Sequence, residues 1–150
     1  MVTMPLHLQL GLSTLVTGTT VLVHLAGLAL LLRLVRGHRR RMPDSSSLFH
    51  DALGVVGSAA GLFVLHALEI WLYAAVYAIS GALGSFEEAL YFSTSTYTTI
   101  GYGDVVLPRG WRVLGAIEGA NGIILLGWST AFFVSVVGRI RLLEAEAADR

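Results

Sequence analysis

The chain alternates long uncharged stretches with short polar breaks. From Leu8 to Leu32 no residue carries a formal charge, and the run then meets Arg33, Arg36, Arg39, Arg40 and Arg41 before the turn-forming Met42-Pro43-Asp44-Ser45. A second apolar stretch extends from about Ala52 to Ser80, interrupted only by His66 and Glu69, and stops at the break Gly81 to Ser85. A third runs from about Val113 to Val137, interrupted by Glu118 and Asn121, and closes on Arg139 and Arg141. A helix needs about 20 apolar residues to cross a hydrocarbon layer of about 30 Å, so each stretch is long enough to span. The second exceeds that length and must tilt or extend into the headgroups. The mixed segment Glu87 to Tyr97, between the second and third stretches, is too short to cross, and it is expected to enter and return.

Composition agrees with the pattern. Apolar residues make up 55% of the 150 and charged residues only 13%, against roughly 25% charged in soluble domains. The predicted class is an all-α membrane protein of three spanning helices plus a re-entrant helix and loop, with no room for a separate soluble domain within these residues. Positive charge follows the first stretch instead of preceding it, so that helix is expected to be retained and not removed as a signal peptide. There is no cysteine, which excludes disulfides and thiolate metal sites.

The net charge is zero and all ten basic residues are arginine, so their distribution sets the orientation. Arg36, Arg39, Arg40 and Arg41 lie between the first and second spans and Arg139 and Arg141 after the third, whereas the connection between the second and third holds only Arg109 and Arg112. Short cytoplasmic loops are enriched in Arg, which predicts the N-terminus and the re-entrant segment outside and the C-terminus in the cytoplasm. Arg33, Arg36 and Arg39 recur every third residue but only where the span ends, as an inside-facing anchor does, and weak voltage dependence is expected.

The run Thr98-Thr99-Ile100-Gly101-Tyr102-Gly103-Asp104 carries the chemistry. A dehydrated cation needs its water shell replaced by oxygen ligands, and a row of backbone carbonyls facing an axis supplies them. Turning successive carbonyls one way requires alternate residues in the left-handed region, where glycine sits without cost, and Gly101 and Gly103 stand two apart. Ile100 and Tyr102 can then point away from the axis and brace the strand. Thr99 adds a side-chain oxygen at the inner end, and Asp104 a carboxylate at the outer mouth. Ahead of the run, a helix over about 86–97 is predicted, with Ser85 as N-cap and Glu87 and Glu88 in its first turn. Its negative end points toward the membrane centre.

Thr99-Ile100-Gly101-Tyr102-Gly103 resembles the selectivity filter of the potassium channel family, with Ile where the commonest form has Val. Ala89-Leu90-Tyr91-Phe92-Ser93 with Thr96, Thr98 and Thr99 is similar to the pore helix leading into that filter, and Trp111 to the aromatic that often opens the inner helix. The resemblance covers about Leu53 to Arg141. It implies an N-terminal helix with a basic flank over 1–41 and a pore domain over 42–150, with outer helix about 51–80, pore helix about 86–97, filter 99–103 and inner helix about 112–138. It further implies a homotetramer in the lipid bilayer of the cell membrane, with potassium ions bound at Thr99, Ile100, Gly101 and Tyr102. No enzymatic activity, cofactor or nucleic-acid partner follows from it. The chain departs from the family pattern at Phe92, where many members have Trp, and at Ser95, where some have Glu; both brace the filter in those relatives.

Other residues keep two readings. Glu69 or Glu118 either sits behind the filter, bonded to filter amides or Arg112 and supporting it along with Thr98 and Asp104, or only fixes helix packing. Gly122 is either a gating hinge of the third span or, like Gly115 and Gly119, a small residue for close packing. His7, His24, His38 and His50 show no ligand spacing and are expected to pack. Alternatives from other classes are a less selective cation channel, a non-conducting scaffold, and an intramembrane metalloenzyme using His66, Glu69 and Glu118.

Overall fold

The computed structural model describes residues 4–40 and 48–148, with side chains over 4–37 and 52–138. The predicted turn at Met42 to Ser45, Arg41 and the last residues of the acidic tail lie outside the described residues. Four α-helices follow in order: α1 (Leu6–Arg40), α2 (Leu48–Ile79), α3 (Phe86–Tyr97) and α4 (Arg112–Ala148), with a 3-10 turn at Arg109–Trp111 leading into α4. Three segments, Leu6–Gly37, Ala52–Ile79 and Arg109–Gly138, are long and apolar enough to cross a membrane. The all-helical expectation holds.

The helices run past the apolar stretches that announced them. The charged ends are rich in Arg, Leu, Glu and Ala, all good helix formers, so loss of hydropathy there does not end the helix. In contrast α3 begins and ends where expected. The Ser85 side chain accepts from the Glu88 amide, with Glu87 and Glu88 in the first turn, which satisfies an orphan N–H and places negative charge at the positive end of the helix dipole.

Contacts between α1 and α2 descend in register: Thr17 meets Tyr73, His24 meets Glu69, Leu65 lies over Gly27 and Leu31 over Gly61. The two helices are therefore antiparallel. Asn121 of α4 reaches Thr20 and Tyr73, while Ser129 reaches His66, so α4 runs with α1 and against α2. The start of α1, the end of α2 and the start of α4 share one end of the bundle. α3 enters from that end and packs on both α2 and α4.

The distribution of side chains is inverted relative to a soluble bundle. Large apolar groups such as Phe63, Val64, Trp71, Ile79 and Val134 are exposed, whereas Ser13, Thr20, His24, Glu69, Ser93, Glu118 and Asn121 are buried. With hydrocarbon outside, apolar burial supplies little drive for association. Hydrogen bonds between helices and close contact of small residues do more of the work. Tyr73, Tyr77, Tyr97 and Leu114 make the fully buried centre where α2, α3 and α4 meet.

Candidate functional site

Helix α3 delivers the chain to the Thr98–Asp104 segment, which follows its last residue, Tyr97. Its last turn opens into amides that fold back on it: the Thr98 N–H donates to Thr94 O at 3.1 Å, Thr99 N–H to Thr96 O at 3.0 Å and Gly101 N–H to Ser95 O at 3.0 Å. Tyr102 N–H goes to the Ser95 hydroxyl at 3.3 Å. Among the described residues, no hydrogen-bond donor reaches the carbonyl oxygens of Thr99 to Gly103.

The backbone of this segment alternates. Thr99 has φ 62°, Gly101 φ 58° and Gly103 φ 79°, and the intervening Ile100 and Tyr102 are not left-handed. Glycine adopts these angles at no steric cost, and the spacing of Gly101 and Gly103 made two of the three legible in advance. Thr99 carried no such signal. A β-branched residue with positive φ is strained by on the order of 1–3 kcal/mol and persists only where its surroundings impose it. Here the Thr96 carbonyl holds its amide.

The side chains of the segment are open on the single chain: Ile100 is 55% exposed and Tyr102 70%. Tyr102 stacks on Tyr91 with centroids 6.4 Å apart and planes 9° apart. The Tyr91 hydroxyl donates to Asp104 Oδ2 at 2.7 Å, and this bond holds the Asp104 carboxyl below its ordinary range. Thr98 Oγ1 donates to Thr94 O at 2.6 Å. Tyr91 and Ser95, neither assigned a role from sequence, thus tie the segment to α3 from two sides, although Phe92 and Ser95 depart from the family's bracing residues. Spacing alone does not reveal Tyr91, because its hydroxyl reaches Asp104 only through the turn between them.

Tyr91→Phe is expected to leave assembly intact and loosen the Thr98–Asp104 segment, read as faster decay of ion flux. Because the bond lowers the Asp104 pKa, it is present above the unfolded aspartate value, about 3.9, and is lost only as pH falls through the lower folded value. Flux decay in the parent protein should therefore stay flat from neutral pH to below about 4 and steepen only there, a profile absent from Tyr91→Phe.

Behind α3 lie two buried polar groups. In the first, the Glu118 carboxyl takes the Tyr77 hydroxyl at 2.6 Å and the Ser93 hydroxyl, which also lies 2.9 Å from Ile70 O. Glu118 thus holds α2 and α3 to α4, and Arg112, the other partner considered for it, sends its Nε to Leu107 O at 3.1 Å. In the second, Glu69 faces His24 Nδ1 at 2.8 Å through Oε1, while Oε2 takes the Tyr97 hydroxyl and lies 3.1 Å from His66 Nδ1. His66 Nε2 pairs with Ser129 Oγ at 2.8 Å. His24, His66 and Glu69 each bring one ligand atom within 4.8 Å of the others, a donor set able to hold a divalent cation. In this structure the atoms bond to one another. The metal trio considered from sequence is divided, with Glu118 in its own cluster and His24 in its place.

Gly122 packs on the C-terminal end of α3. A Cβ there would collide with the carbonyl oxygen of Tyr97 and lie 2.9 Å from its carbonyl carbon. Helix α4 runs unbroken through this position.

No curated protein and no solved structure matches the chain. Residues 64–139, just over half of the chain, match a family model described as an ion channel. That segment holds the second half of α2, all of α3, the alternating segment and α4 as far as Arg139, and the chain belongs to this ion channel family.

Proposed function

We propose that the chain is the subunit of a potassium-selective channel, a homotetramer whose four Thr99–Gly103 segments surround one pore. The observation that carries this reading is the left-handed backbone at Thr99, Gly101 and Gly103, two residues apart each time. In such an alternation carbonyl oxygens turn the same way. The amides of Gly101 and Tyr102 are engaged by α3, which leaves the carbonyls of Thr99, Ile100, Gly101 and Tyr102 as ligands for a dehydrated ion, with Gly103 closing the row and Thr98 and Asp104 supporting its ends. More than one chain is needed because one strand surrounds nothing, and the number four is what the resemblance to the potassium channel family implies.

Conduction is passive in this reading, without cofactor or chemical turnover. Arginine asymmetry puts the filter end outside the cell membrane, and the N-terminus lies at that same end, with the C-terminus in the cytoplasm. The division into an N-terminal helix over 1–41 and a pore domain over 42–150 is retained as part of the proposal. The scaffold alternative drew its support from missing braces at Phe92 and Ser95. The Tyr91–Asp104 and Ser95–Tyr102 bonds remove that support.

The test is flux from proteoliposomes of the purified chain. Potassium efflux blocked by barium, with sodium flux at the level of empty liposomes, is expected. Equal potassium and sodium flux would replace potassium selectivity with a general cation pore, and no flux under any gating condition would sink the channel reading.

A further inference from the structure

We propose that His24, on the helix that lies outside the family-matched segment, is a positioning residue for ion selectivity, acting through Glu69 and Tyr97 on the inner end of the filter. The inference rests on the potassium-channel reading above.

The route is short and buried. His24, Glu69 and Tyr97 are each 0% exposed. His24 Nδ1 lies 2.8 Å from Glu69 Oε1, and the Tyr97 hydroxyl donates to Glu69 Oε2. Tyr97 is the last residue of α3, and Thr98 and Thr99 follow it directly into the filter. Its carbonyl is pressed against Gly122, so the main chain at Tyr97 has no slack on the α4 side. A change in where the phenol points is therefore passed forward into Thr98 and the left-handed Thr99.

The division of labour on the carboxylate makes His24 decisive. Among the described residues Oε2 has two partners, Tyr97 and His66, whereas Oε1 has His24 alone. Among the described residues His24 Nε2 has no partner, so the neutral ring with its proton on Nδ1 leaves only an acceptor lone pair unpaired, while a protonated Nε2 would leave a buried donor. That tautomer gives Glu69 an N–H. Remove it, and Oε1 is a bare carboxylate oxygen in a low-dielectric interior, which the carboxylate relieves by rotating toward the donors that remain. Tyr97 is one of them. Thr17 and Thr20, which bond Tyr73 and Asn121 two turns and one turn earlier on α1, hold the helix in register but make no hydrogen bond to Glu69 or Tyr97 among the described residues.

A mere packing role makes a different forecast. Loss of packing lowers the number of assembled channels, but the permeability ratio of potassium to sodium is a property of each surviving pore. His24→Leu keeps an apolar body without the N–H, and His24→Asn keeps an N–H where Nδ1 stands. In proteoliposomes the potassium-to-sodium permeability ratio is expected to fall roughly tenfold in His24→Leu, to recover in His24→Asn, and to fall comparably in Tyr97→Phe. His24→Leu with Tyr97→Phe should fall no further than either alone, because both act through one carboxylate. A parental ratio in His24→Leu, or equal losses in the Leu and Asn variants, would overturn the proposal. Should His24→Leu fail to assemble, Tyr97→Phe decides, and an unchanged ratio there overturns it. A parent protein that does not discriminate the two ions would instead overturn the potassium reading, so the two failures are distinguishable.

Discussion

Replacing Gly122 with alanine is expected to cost about 3 kcal/mol per chain, the upper end for forcing a methyl into a packed interior, and to abolish barium-sensitive potassium flux. The added Cβ meets backbone, not a flexible side chain: the carbonyl oxygen, carbonyl carbon and Cα of Tyr97 all lie within 3.0 Å of it. Relief requires α4 to move away from α3, or the last turn of α3 to unwind, and either displaces Thr98 and Thr99. Gly127→Ala is the control. Its Cβ meets nothing within 4 Å in the chain, and alanine gains up to about 1 kcal/mol in helix propensity. Thermal unfolding of the purified assembly together with flux checks both. A Gly122→Ala protein as stable and conductive as the Gly127→Ala one would show that the close approach is unimportant. Close packing supplies a reason for glycine here whether or not α4 also bends at this position during gating.

Glu69→Leu should be the more damaging change to stability, by about 3–5 kcal/mol per chain, the range for removing one partner from a buried ionic or hydrogen-bonded set. Three polar groups converge on the carboxylate from three helices: His24 of α1, His66 of α2 and Tyr97 of α3. In hydrocarbon none of them can turn to water: His24 Nδ1 loses its partner, and His66 Nδ1 and the Tyr97 hydroxyl, 3.0 Å apart, keep only each other. Glu69→Gln keeps one acceptor oxygen and puts an amide toward the other donors, and about half the loss is expected. The measurement is the midpoint of thermal unfolding in detergent, with assembly followed by size. A Leu variant within about 1 kcal/mol of the parent would mean that the cluster is replaceable by apolar packing, as some buried polar sets are.

How much of this was legible in the sequence differs by element. The spans were legible because lipid imposes a length, and three uncharged stretches exceeded it. Helix α3 was legible to the residue, since Ser85, Glu87 and Glu88 are local signals that act within one turn. The two glycines of the alternating segment were legible for the same reason. Helix ends were not, because Arg33 to Arg40 and the residues after Val137 lose hydropathy without losing helix propensity. The left-handed backbone of Thr99 was not legible, because nothing in a threonine announces it and the bond from its amide to the Thr96 carbonyl forms only as α3 ends. Glu118 and Glu69 were recognisable as costly intramembrane groups in need of partners, but apart from His66, three residues from Glu69, the partners lie 25 to 45 residues away in sequence.

By itself, then, the sequence determined the class, the spans, the re-entrant helix and the glycine pair of the Thr98–Asp104 run, because each depends on interactions over a few residues or on the thickness of the surrounding lipid. Tertiary structure alone decided what bonds to that run and where the first helix packs. Tyr91 reaches Asp104, Ser95 takes the Tyr102 amide, and His24 meets Glu69 only once α1 lies antiparallel on α2. Those pairings follow from which polar groups must find one another when water is excluded, and periodicity along one chain carries no record of the answer.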